Sequence, residues 1–533
     1  MKHIQLIQKL SCRLTLACIV IMLCSFGHTR SKASISSYSD LMSLFKQFDQ
    51  LRHPKIVNGI PDYSSAAMSQ QFDSLKILQA KLGAIDTVGW TKDQQIDYRL
   101  LEAHMHGLEF NHRILHRWSR DPAYYSTINW FNPTMEGAID LPRLPLNEKD
   151  LKAFQKQVEM MPKVLAAAKI NLTEMTPDFA TLGIERKKWE EEQYKNWLPQ
   201  LAKYHPDLMK SANKMVAAIV DFRKWLEEKL PSRTGSSGIG VDNYNWLLKN
   251  VYLSPYTWEE SVLLTQRELE RSLADLKMEE FRNRNLPPLH LMVNRRESDS
   301  VGQAGQSFLI KFIRENKILP QPDYMVAHGN GTYGTGTINR PTGRNFFENI
   351  LDRDPLPLLP HDMVGHAPDA AREKEWNNRP FPRAYDPFYV SGHRAEALAT
   401  DMEENLMTLG MLDQKPRSRE LTLMLRIFRA VRALEDLKMN SNEFTLEQGM
   451  NYAMKTVPYG WYNRNTYLIW EESDLYLRQP GYGIGYLMGS VQLERLMAKR
   501  AMKLGTEFDF MKFMKDFFEP GLIPISLIDM NME

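Results

Sequence analysis

Apolar residues recur three and four apart along most of this chain. Over residues 37–82 and 92–118 polar residues fill the gaps, as around Tyr98, Leu101, Met105 and Leu108, the stripe of an amphipathic helix rather than the alternation of a strand. The same period returns over 148–170, 206–230 and 257–284, and again over 358–374, 392–410, 418–438, 445–455, 462–475, 482–504 and 509–518. Turn-formers interrupt it at Arg120-Asp121-Pro122 and over 231–238. Between 328 and 345 five glycines alternate with Thr332, Tyr333, Thr335, Thr337 and Ile338, which predicts a short β-hairpin or an irregular Gly-rich insertion. No Gly-Lys-Ser/Thr or strand-to-helix setting accompanies it, so it is neither a phosphate loop nor a dinucleotide loop. The charged run 185–196 is expected to be a solvated helix face. The Met-rich stretch 402–411 and the face of Leu421, Leu425 and Phe428 are expected to be core. The fold class is therefore all-α, with one small β-like insertion.

Composition adds bounds. Of 533 residues 43% are hydrophobic and 25% charged, enough to bury a large core. No long linker divides the chain, so one large helical body over 34–533 is expected, with a possible N-terminal half (34–290) and a site-bearing half (291–533). Residues 1–33 read as an export signal: Lys2, Lys9 and Arg13 precede an apolar run from Leu14 to Phe26, and Ser31-Lys32-Ala33 invites cleavage after Ala33. The run is about 13 residues, short of the roughly 20 that span a bilayer, so no stable membrane insertion is expected after cleavage. Leu23 before Cys24 argues against lipoprotein processing. The expected location is periplasmic or secreted, with a membrane-anchored form the lesser reading. All three cysteines lie in this segment, leaving His and carboxylates as the ligands for any metal. Its loss also removes five basic residues and no acid, turning a net charge of +2 into −3, which gives no support for a nucleic-acid partner, and none is expected.

The chemistry-bearing stretch is Pro360-His361-Asp362-Met363-Val364-Gly365-His366-Ala367-Pro368-Asp369, with His393-Arg394-Ala395-Glu396 further on. His361, His366 and Glu396 supply a two-His-one-carboxylate set for one divalent metal, and Asp362 could serve as general base or as an orienting group. On a straight α-helix residues five apart diverge by about 140°. One π-type bulge near Gly365 would bring both imidazoles to one face; otherwise they are ordinary packed or capping side chains. Tyr482 and Tyr486 share a helix face after a run of glycines, and a phenol there could donate to a developing oxyanion. Close helix packing explains them equally well.

At these residues the chain resembles a bacterial family, the domain of unknown function 885. The likeness runs through Asp97-Tyr98-Arg99-Leu100-Leu101, Trp118-Ser119-Arg120-Asp121-Pro122-Ala123-Tyr124, Arg429-Ala430-Val431-Arg432 with Asp436, Pro480-Gly481 with Tyr486 and Gly489, Gly505-Thr506-Glu507-Phe508-Asp509 and Gly521-Leu522-Ile523-Pro524. The resemblance implies a helical, metallopeptidase-like hydrolase with an H-E-x-x-P-G-H-H-x-Q motif. His361 then matches the first histidine, Asp362 the glutamate, Gly365-His366 the Gly-His pair and Glu396 the later glutamate. The motif's proline is missing, its second paired histidine is Ala367, its glutamine is Asp369, and Asn440 stands where another histidine belongs. Locally, His-Asp-x-x-Gly-His-x-Pro is also similar to the iron-binding stretch of aromatic amino acid hydroxylases. The expectations are an exported hydrolase of an amide or peptide bond, taking a peptide or small-molecule substrate, with zinc first and iron second. The alternatives are a non-haem iron oxygenase on the same ligands and a non-catalytic binding protein.

Overall fold

Helices here start where a side chain can take up their free N–H groups. Thr91, Thr257 and Thr445 each accept from the residue three positions on, and Gln94, Glu260 and Gln448 reach back to the cap in return. The computed structural model describes residues 37–129, 133–320 and 343–533. The export segment and most of the 328–345 stretch lie outside the described residues. In chain order the longer helices are α1 (Tyr38–Leu51), α2 (Ser65–Gly83), α3 (Lys92–Phe110), α4 (Glu148–Asn171), α5 (Pro177–Tyr204), α6 (Met209–Lys229), α7 (Val241–Asn250), α8 (Trp258–Arg282) and α9 (Arg295–Glu315). There follow α10 (Ala367–Asn377), α11 (Gly392–Thr408), α12 (Pro416–Asn440), α13 (Leu446–Thr456), α14 (Leu468–Arg478), α15 (Tyr482–Leu504), α16 (Phe510–Phe518) and α17 (Ile525–Met532). Among the described residues the one sheet is a pair of two-residue strands, Ile56–Val57 and Ile60–Pro61. The all-α expectation holds.

Three apolar clusters hold these helices together. One centres on α12, with Leu425, Phe428 and Val431 packed against α8, α14 and α15. A second joins α1 to α3 with α11, α16 and α17 through Leu41, Leu101, Leu398 and Phe517. The third lies within α4 to α6 and the loops beside them. Helix α12 is buried on nearly every side, yet it carries four ionisable groups inward. Arg429 pairs with Glu403 of α11 at 2.8 Å, and Arg432 with Glu472 of α14 at 2.7 Å. Glu435 accepts from Ser473 at 2.6 Å, and Asp436 accepts from the backbone N–H of Gly483 at 2.7 Å. The helix thus ties α11 and α14 by ion pairs and α15 by backbone hydrogen bonds, as well as by contact.

Two sequence expectations fail for visible reasons. The 37–82 stretch is not continuous helix: Pro54 ends it, and Asn58 and Gly59, with φ of 52° and 79°, form the two-residue turn of a hairpin. The 185–196 run is not a solvated face, because Arg186, Lys187, Glu190 and Tyr194 are buried. Spaced three and four apart, they form the inward stripe of α5. Lys187 pairs with Glu190 at 3.0 Å and donates to the Tyr125 carbonyl, while Glu190 also accepts from Ser126 and Thr127. Arg186 reaches Asp474 of α14 at 2.9 Å. The expected core residues, including Met402, Met411, Leu421, Leu425 and Phe428, are buried.

Candidate metal centre

Residues His361–His366 form a π-helical turn running into α10. The Ala367 N–H bonds the Asp362 carbonyl five residues back, so side chains five apart stack on one side. Pro368 helps impose this register, since it has no N–H to give residue 364 the bond an α-helix would place there. Gly365 lets the turn lie flat on α11, where a Cβ would stand 2.3 Å from the Ala399 Cα.

The turn and α11 bring His361, His366 and Glu396 together. The two Nε2 atoms are 3.3 Å apart, and Glu396 Oε2 lies 3.7 Å from that of His361 and 3.6 Å from that of His366. Those separations are too long for hydrogen bonds to the carboxylate, and Glu396 Oε2 is buried without a partner. The other oxygen, Oε1, accepts from Tyr482 at 3.0 Å. His361 Nδ1 lies 2.9 Å from Glu403 Oε1 and 3.2 Å from Arg429 Nη2, so a carboxylate and a guanidinium flank the nitrogen on the far side from the cluster. The His366 side chain is 35% exposed and that of His361 12%, so the cluster opens toward solvent on the His366 side.

Charges here are strongly perturbed. Burial raises the Glu396 carboxyl, but the nearby imidazoles of His366 and His361 and the Arg429 charge outweigh it and hold the pKa down at about 2. Burial and then Arg429 lower that of His361. For His366 burial lowers it, yet Glu396 and the charge of Asp362 carry the balance upward. Tyr486 lies under two guanidinium groups, Arg432 at 4.1 Å and Arg429 at 4.7 Å from its ring centre. Burial still pushes its phenol up to about 12. Tyr486 donates to Tyr482 at 3.4 Å, so both phenols stand in one line behind Glu396.

Asp362 is half-buried beside this cluster and contributes no oxygen to it. His393 stands apart: it bonds the Gly481 carbonyl, stacks on Tyr252 at 4.4 Å, and burial lowers its pKa to about 4. Asp369 is taken up by Arg394. Sequence reasoning missed Glu403, although it lies seven residues after Glu396 and so on the same face of α11. Arg429, its partner, was read only as framework.

The comparisons with known proteins carry the fold and the family. No curated protein matches the chain. A candidate lipoprotein of unknown function from Shewanella oneidensis is similar in structure, with a TM-score of 0.68, 15% identity, and coverage of 93% of this chain and 100% of that one. A candidate lipoprotein from Colwellia psychrerythraea gives the same score and identity over 93% of this chain and 98% of its own. The family model described as "Bacterial protein of unknown function (DUF885)" matches residues 53–283 and 395–532. Those segments include Glu396, Tyr482 and Tyr486 and leave out the turn bearing His361 and His366. The match spans well over half of the sequence, and the chain belongs to the DUF885 family.

Proposed function

We propose that this protein is an exported metal-dependent hydrolase of an amide or peptide bond, in which His361, His366 and Glu396 hold one divalent ion. The observation that carries this reading is the triangle of their three donor atoms. A point equidistant from corners 3.3, 3.6 and 3.7 Å apart lies roughly 2 Å from each, the length of zinc–nitrogen and zinc–oxygen bonds. The two imidazoles and one carboxylate are a ligand set that zinc takes, with iron as the alternative. The unpartnered Glu396 Oε2 and the Glu403 carboxylate behind His361 fit the same ion, since histidine ligands ordinarily give their second N–H to such a group.

A bound divalent ion supplies Lewis-acid polarisation of a carbonyl and an acidified water. The chain's own residues would do the rest. Glu403 orients the His361 ring, and Tyr482 holds Glu396 Oε1 so that Oε2 stays free. Tyr486 retains its proton throughout the physiological range and can donate to an oxyanion. Asp362, whose charge reaches His366, is the candidate for proton transfer. Export rests on the first 33 residues, and the two structural relatives being named as lipoproteins is in keeping with it. No helix among the described residues is long and apolar enough to cross a membrane.

The test is elemental analysis of the purified mature protein and of His361→Ala, His366→Ala and Glu396→Ala. One zinc per chain, lost in each variant, with chelator-sensitive peptide cleavage, supports the reading. Full metal content in the variants refutes the ligand set, and stoichiometric iron with oxygen-dependent turnover replaces hydrolysis by oxygenation.

A further inference from the structure

A sizeable cavity lies apart from this centre. It has a volume of about 410 Å³ and lies between the N-terminal helices and the segments 386–389 and 479–480, a size suited to a small organic ligand. None of His361, His366 and Glu396 lines it; Tyr389 does, and its ring packs 5.0 Å from that of Tyr482. Tyr389 holds this position with a φ of 58°, a left-handed conformation that side chains other than glycine adopt only under strain. The N-terminal wall is a second π-helical turn, Asn111–Leu115, which presents Asn111, His112 and Leu115 to the cavity. Such turns gather at functional sites.

Two cations, Arg52 and Arg117, and two acids, Glu136 and Asp386, line the cavity, and none is paired with another. Among its described lining residues, Arg52 pairs with Asp49, Glu136 faces His53, and Asp386 accepts from Val390 and Ser391. Arg117 has no carboxylate partner among the described residues. Its Nε donates to Asn111 Oδ1 at 3.0 Å and its Nη1 to the Arg478 carbonyl at 2.8 Å. The acids behind it are already taken, Asp121 by Arg478 and Asp474 by Arg478 and Arg186. Neutral acceptors orient this half-buried guanidinium without an ion pair, and Asp121, whose charge reaches it, is already shared with Arg478, so an arriving anion finds it unpaired. The remaining surface mixes aliphatic, aromatic and amide groups, among them Tyr252, Phe388 and Gln479.

We propose that this cavity binds a short peptide by its C-terminal carboxylate, which pairs with Arg117 while the aromatic walls take up the adjoining side chain. The planar fork of Arg117 suits a carboxylate, and the volume suits two residues rather than a long chain. The site draws nothing from the metal reading, and the test keeps the two apart by using full-length mature protein stripped of divalent ions with a chelator. Binding of Ala-Phe, its C-terminal amide and 3-phenylpropionate is measured by calorimetry. The dipeptide should bind at least about 10-fold more tightly than its amide, since a hydrogen bond to a charged group is lost, and more tightly than 3-phenylpropionate. Arg117→Gln should abolish the preference for acid over amide, and Arg117→Lys should keep part of it. Equal binding of acid and amide, or no binding of either, overturns the proposal. Equal binding of 3-phenylpropionate and dipeptide overturns the peptide assignment. The acid–amide comparison needs no variant, so it stands even where a substitution disturbs folding.

Discussion

Replacing Gly365 by alanine puts the proposed centre to its sharpest test, because it alters no donor. The added Cβ would sit 2.3 Å from the Ala399 Cα and 2.5 Å from the Ala399 Cβ. Carbon atoms settle at about 3.5–4.0 Å, so the turn and α11 must separate by more than about 1 Å. His361 and His366 ride on the turn and Glu396 on α11, so the two edges of 3.6 and 3.7 Å open and no ion can reach all three donors. Overpacking of this kind costs about 1–3 kcal/mol of stability. The decisive readout is thermal unfolding with and without zinc. At zinc a hundredfold above its dissociation constant, the unaltered protein gains about 2.7 kcal/mol; a variant with a hundredfold weaker site gains only about 0.4 kcal/mol. Undiminished zinc stabilisation in Gly365→Ala would show that the turn's seat on α11 does not set the site.

Three further outcomes follow from single contacts. Glu403→Gln should weaken zinc binding by about 10- to 100-fold, the usual effect of losing a ligand's supporting group; competition with a chelator measures it, and unchanged affinity would remove Glu403 from the site. Lys187→Ala should cost about 3–5 kcal/mol, since it strands Glu190 in the core, while Lys195→Ala on the exposed side of α5 should stay within about 0.5 kcal/mol; denaturant melts that rank the two alike would contradict the inward stripe. Burial raises the Asp436 pKa to about 7, so between pH 4 and 7 the unfolded chain releases this proton first and stability falls as pH rises, by at most about 1.4 kcal/mol per pH unit. Asp436→Asn should flatten that slope in denaturation series, and an unchanged slope would place the titration elsewhere.

Much of this molecule could be read in its residues. Period gave the helices, and the five-residue gap between His361 and His366 pointed to the widened turn at Gly365. What escaped did so for physical reasons. Glu403 and Arg429 matter through each other, and a pairing between α11 and α12 leaves no mark within either helix. Arg186, Lys187 and Glu190 looked like solvent-facing residues because charge in a sequence says nothing of a partner 288 positions away such as Asp474. Helix α9 was missed because its N-terminal turns are mostly polar or exposed, and α7 because it is only ten residues long.

The proposed ion donors and their support at Glu403 all come from residues 361–403, whereas most of the Arg117 cavity is walled by residues before 253. On the two proposals, separate stretches of the chain would govern separate properties. Drift in the earlier stretch would then change which molecules are admitted while the later one kept its geometry.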